Sequence, residues 1–148
     1  MPKLVRGFTL IEVLLVIGLI AILAAIVIIA INPARQFAQA RNTQRFSDVN
    51  AILNAVHQNM IDNRGNWVCT STLPASPATI SSAVATGDIC ECLVDIFLPA
   101  MPFDPASGHH YTDCNDYNTG YTIMQSAGGR VTVAAPKAEL GTTISVTR

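Results

Sequence analysis

The chain has 148 residues, half of them hydrophobic and only 13% charged, with a formal net charge of −1. That length suits a single domain, and the charge excludes a generally basic nucleic-acid binder. The shortage of charge is uneven, because one apolar block near the N-terminus accounts for most of it.

The sequence opens MPKLVRGFTLIEVLLVIGLIAILAAIVIIAINP, and nineteen residues from Val13 to Ile31 carry no charge. As a helix this run is about 28 Å long, close to a bilayer core. It shows no polar face, unlike an amphipathic core helix. It is too long for a secretory signal, and no small-x-small cleavage site follows it. A plain anchor accounts for the length but not for Glu12. A carboxylate in an apolar run costs about 2.5–3.5 kcal/mol at mid-helix and less near the end. Glu12 is therefore either solvated at headgroup level or paired with a cation.

The segment R-G-F-T-L-I-E, Arg6 to Glu12, resembles the prepilin signal of type IV pilins and type II secretion pseudopilins. That signal has a short basic leader ending in Gly, then Phe, then Glu as the fifth mature residue. Here Lys3 and Arg6 lie in the leader, followed by Gly7, Phe8 and Glu12. The resemblance covers residues 1–60 well and the rest loosely. It implies that a membrane aspartic peptidase cuts between Gly7 and Phe8 on the cytoplasmic side and N-methylates Phe8. It also implies that Glu12 pairs with the Phe8 ammonium of a subunit already in a filament. Phe8 and Glu12, four apart on a helix, would share a face.

The implied fold class is α+β and pilin-like: a long N-terminal helix packed on a small antiparallel head. The expected divisions are a leader over residues 1–7, a transmembrane assembly helix over 8–31, an amphipathic stem over 32–65, and a head over 66–148. The expected partners are a homo-oligomeric filament, the prepilin peptidase, an inner-membrane assembly platform and the membrane. A minor pilin, or a membrane-anchored binding module at a filament tip for adhesion or competence, is the alternative role. Basic residues flank the apolar run on both sides, so the positive-inside rule does not orient it. Placing the head outside the cytoplasm, before and after assembly, rests on the resemblance and on the cysteines.

Asn32-Pro33 ends the apolar run. Proline removes a donor and disfavours helix at Asn32, whereas Asn then Pro can restart a helix as N-cap and first residue. Either a kinked helix or a break is expected. Beyond it, Phe46, Val49, Leu53, Val56 and Met60 recur at helical spacing and form the stripe expected to pack on the head. Arg41, Arg45, Asp48, Asn54 and Gln58 lie off it. The helix is expected to stop near Asn63-Arg64-Gly65.

No Lys or Arg falls between Arg64 and Arg130, a stretch holding six acids, while Arg35, Arg41 and Arg45 precede it. This pattern reads as solvated surface charge or as attraction between one subunit's stem and a neighbour's head. The acidic head argues against nucleic-acid contact.

The four cysteines, Cys69, Cys90, Cys92 and Cys114, all lie in the head. An even count in an exported domain reads as two disulfides. Cys90 and Cys92 would strain if bridged to each other, and the favoured pairing is Cys69–Cys90 with Cys92–Cys114. Zinc is the rival, although C-x-C is not a finger spacing. Residues 71–87 read as loop or short helix, and 101–108 as a turn-rich loop. Ile89 to Leu98 is too short to assign. Strands are expected at Tyr121–Ser126, Arg130–Ala135 and Thr142–Thr147, with Gly128-Gly129 as a hairpin turn.

In D-C-N-D-Y-N-T-G, the side chains of Asp113, Asn115, Asp116 and Asn118 are candidate calcium ligands. The spacing misses the EF-hand template at Tyr117, and the same residues are ordinary turn formers. No cofactor is the expectation for this segment, with calcium as the alternative. His109 and His110 would point opposite ways in an extended chain and read as surface residues. No catalytic motif for hydrolysis, zinc proteolysis or nucleotide binding is present, so no enzyme is expected.

Overall fold

A computed structural model describes residues 7–148. The leader residues Lys3 and Arg6 lie outside the described residues. Contacts divide the chain after Phe37 into two compact units.

In the first unit, helix α1 runs Leu10–Ile31 and buries none of its residues. Its 22 residues span about 33 Å, enough to cross a bilayer core. It ends at Asn32, which adopts the left-handed conformation (φ 47°). Asn is one of the few side chains that tolerates this region. The Asn32 side chain then accepts from the Arg35 backbone N–H at 3.3 Å, and Pro33 opens helix α2, Pro33–Asp62. Asn32 thus closes one helix and caps the next, so the break expected as one alternative is what forms.

The second unit begins within α2. Its buried positions are Ala38, Arg45, Val49, Ile52, Leu53, Ala55, Val56 and Asn59. Val49, Leu53 and Val56 of the expected stripe are buried, but Phe46 stays 56% exposed. Arg45, read as off the stripe, is buried with it, and so is Ile52. The buried face is wider than the 3-4 spacing implied and is shifted toward the Arg45 side. α2 ends in a Schellman motif, with Gly65 N–H donating to Met60 O at 2.7 Å and Arg64 N–H to Ile61 O at 3.3 Å. Gly65 (φ 89°) is a stop as expected, but Arg64 (φ 59°) already occupies the left-handed turn position before it.

The strands are β1 Ala78–Ser81, β2 His110–Asp113, β3 Asp116–Gln125, β4 Val131–Ala135 and β5 Ile144–Thr147. They form one antiparallel sheet in the order β1-β3-β4-β5, with β2 also paired to β3. Alternate side chains of β3 (Tyr117, Thr119, Tyr121, Ile123) and β4 (Val131, Val133, Ala135) are buried. With the buried face of α2 they make one core. Such alternation is what a sheet wet on one face requires. A long apolar helix, and a second helix packed on a small antiparallel sheet, make the α+β pilin-like arrangement. Of the expected strands, β4 and β5 are shorter at their starts and β3 begins five residues earlier.

Both disulfides lie in this unit, but the pairing is Cys69–Cys92 and Cys90–Cys114, not the favoured Cys69–Cys90 with Cys92–Cys114. The physical reason is a 3-10 turn over Cys90–Cys92. At three residues per turn, positions two apart face different directions. Cys90 points into the core and meets Cys114 in the β2–β3 turn. Cys92 is half-buried and meets Cys69, next to the Val68 that Asn59 holds. The buried Asn59 amide donates to Val68 O (3.1 Å) and Cys92 O (3.4 Å), and its oxygen accepts from Val68 N–H (3.1 Å). Closing loops of 23 and 24 residues contributes about 3 kcal/mol each in the chain-entropy account.

A buried ion pair ties α2 to two loops. Arg45, 1% exposed, is bidentate to the buried Asp104 at 2.7 and 3.0 Å and reaches Glu139 at 2.8 Å. Arg41 also grips Glu139, at 2.7 and 2.6 Å. Burial pushes the Asp104 carboxyl up, but the Arg45 hydrogen bonds and attraction, with the Ala106 backbone N–H, hold it below its usual value. The hydrogen bonds from Arg41 and then Arg45 hold Glu139 down to about 2. Burial raises Asp48 against the opposing hydrogen bond from the Tyr121 hydroxyl, donated at 2.8 Å. Arg45 is therefore not solvated surface charge, and Arg41, though half-exposed, also has its ionic partner inside its own chain.

Candidate processing and assembly site

Residues 7–9 form neither helix nor strand, and all three are exposed. Thr9 caps α1: its hydroxyl accepts from Glu12 N–H at 3.3 Å, and its backbone is extended (φ −81°, ψ 148°). A Thr followed three residues later by Glu has the composition of a capping box. Val13 N–H donates to Thr9 O at 3.3 Å as the first helical bond. The cap starts the helix after Phe8, so Phe8 and Glu12 are not a four-residue pair on one helix as expected. Both nevertheless line one apolar groove with Val13, Val16 and Ile17.

Gly7 has open space around it, with nothing near enough to contact an added Cβ, and Phe8 is 83% exposed. The Gly7–Phe8 peptide therefore sits in open backbone just ahead of a capped helix. Glu12 is the acid of the first turn of α1, a position that the positive helix end favours. No acid occurs from Val13 to Ser47. Any cation that pairs with Glu12 deep in an apolar medium has one carboxylate to find.

Residues 2–31 match the family description "prokaryotic N-terminal methylation motif". The chain carries the signal motif of type IV pilins and pseudopilins. The motif ends where α1 ends, at Ile31, and it contains Gly7, Phe8 and Glu12. The match takes in the N-terminal motif and leaves the head unmatched. No curated protein and no solved structure matches the chain.

The other candidate residues are placed differently. Asp113 Oδ1 accepts from Asn115 N–H (2.7 Å) and Asp116 N–H (3.0 Å), which closes the β2–β3 turn. Asp116 meets His110 at 3.0 Å; that hydrogen bond holds its carboxyl below the usual range. Asn118 lies on β3, with Oδ1 accepting from Gly120 N–H at 3.1 Å. Tyr117 and Thr119 point into the core, so the segment is a hairpin rather than an open loop. Among the described residues, no group of three or more His, Cys, Asp or Glu side chains could hold a metal. His109 is not a plain surface residue: its ring lies against Gly120, and both ring nitrogens are buried without a hydrogen-bond partner.

Proposed function

We propose that this chain is a structural subunit of a type IV pilus or pseudopilus-like filament. A prepilin peptidase hydrolyses the Gly7–Phe8 bond with water, leaving a carboxylate on Gly7 and an ammonium on Phe8; the ammonium loses a proton and the amine takes a methyl group from a sulfonium donor, which leaves as a thioether. The mature chain waits in the membrane on α1, and an inner-membrane assembly platform moves it into a homo-oligomeric filament. Removing the leader leaves seven basic residues against ten acids, and it creates the cation that Glu12 lacks within its own segment.

The observation that carries this reading is a methylation motif running directly into a 22-residue apolar helix with no buried residue. Such a helix needs lipid or other subunits around it. An unpaired charge in that medium is costly and a paired one much less so, which makes Glu12 a register device for assembly. The two disulfides support a head outside the cytoplasm, where they form and persist.

The test is Glu12→Ala, with Glu12→Val beside it. Cleavage at Gly7 is expected to continue, while the yield of sheared filaments falls about tenfold or more, since one buried charge is left without its partner. Normal filament yield from both variants would remove Glu12 from assembly.

A further inference from the structure

Two flanks of one groove on the head carry opposite charge, and neither has an ionic partner among the described residues. Asn50 and Asn54 lie one turn apart on α2, and Arg148 is held over them, at 3.5 Å and 2.6 Å. Arg148 ends the β5 side of the sheet and pairs through its backbone with Val131, so the exposed Arg130 stands beside it. No acid is paired with either arginine among the described residues. β5 is the last strand in the sheet order. The side chains of Ser145 and Thr147 are exposed along it, and its outer backbone groups form an open edge.

Ala51 and Ala55 lie one residue further round the helix, about 100° away. With Asn54 and Gln58 they floor a groove of about 470 Å³ whose far wall is Ile96 to Leu98. That wall is rigid: Phe97 and Leu98 N–H both donate to Leu93 O at 2.9 Å, and Asp95 N–H donates to Leu98 O at 2.8 Å. It presents Ile96, 66% exposed, beside the exposed Asp95 and Glu91. Neither acid is in a salt bridge among the described residues.

We propose that these flanks are the two halves of one interface between copies of this chain. The Glu91–Ile96 segment of one copy docks on the Arg130/Arg148 end of the β5 edge of a second copy. Repeated in one direction from copy to copy, the contact is heterologous, and a heterologous contact that does not close generates an open helical array. Charge opposition sets orientation and register, while Ile96 supplies apolar area. Arg41 and Arg45, by contrast, already have ionic partners in their own chain.

This inference rests on the filament reading, and the experiment separates the two. The full chain is expressed with its peptidase and assembly machinery as Glu91→Lys, as Arg148→Glu, and as both together. Each single reversal is expected to lower sheared filament yield about tenfold, and the double to restore it to within about twofold. A photo-crosslinking residue at Ile96 is expected to capture a second copy within 142–148. N-terminal analysis of the same samples reports processing. Unprocessed chain in the unmutated control would sink the filament reading. Processed chain whose yield ignores the reversals, whose double variant stays low, or whose Ile96 adduct maps elsewhere or does not form would overturn this interface alone.

Discussion

The two units of this chain solve opposite problems. The segment from Gly7 to Phe37 has a helix long enough to cross a membrane and not one buried residue in it. The unit from Ala38 to Arg148 has a closed core, a buried Arg–Asp pair and two disulfides. The first is completed only by something outside the chain, lipid or other copies. The second closes a core of its own. Changes in one should therefore leave the other nearly untouched, and each prediction below can break that separation.

The largest effect is expected in the head. Asp104→Asn leaves Arg45 charged, buried and half-partnered, which costs about 3–5 kcal/mol. Denaturant unfolding of the full chain in detergent should show the loss, with cleavage at Gly7 unchanged. A loss below about 1 kcal/mol would mean that Arg45 finds water or Glu139 instead. Replacing Cys69 and Cys92 together by Ala should cost about 3 kcal/mol. The variant should still form Cys90–Cys114, as peptide mapping would read.

Acid should act on the same network. Glu139 is held down to about 2 from an ordinary 4.5, and Asp104 is also lowered. A depressed carboxyl stabilises the fold above its unfolded value, and that contribution fades as pH falls toward the folded one. Stability should therefore drop between about pH 4.5 and 2, opposed in part by Asp48, whose raised value favours the protonated fold. Glu139→Gln should flatten that slope in a pH series of melting temperatures. The smallest effect is expected from calcium. Asp113 and Asn118 already accept backbone N–H groups, so calorimetry with Ca²⁺ should show an unchanged melting temperature. A rise of several degrees would reopen Asp113, Asn115, Asp116 and Asn118 as ligands.

The same contrast governs what the sequence made legible. The first unit answers to local rules: an uninterrupted apolar run and an Asn-Pro stop. These rules are readable residue by residue. Half of α2 was legible too, because Val49, Leu53 and Val56 keep helical spacing. In the head, β1 hides in a Ser/Thr/Ala/Pro stretch and exists because it pairs with β3. Gly87 packs so closely on the Thr79 backbone that no Cβ fits there. Arg45 looks like surface charge until Asp104, 59 residues away, is brought under it. The cysteine pairing depended on a 3-10 turn and on Asn59, neither of which spacing reveals. Glu12 and Phe8 stood out as a pair, but the Thr9 cap that separates them was visible only as a Thr before an apolar run.

The most direct test of the account is mass spectrometry of filaments sheared from cells expressing the full chain. The account predicts a dominant species that begins at N-methyl-Phe8 and keeps both disulfides. A chain that retains Met1 to Gly7, or one absent from sheared material while fully processed in the membrane, would contradict it.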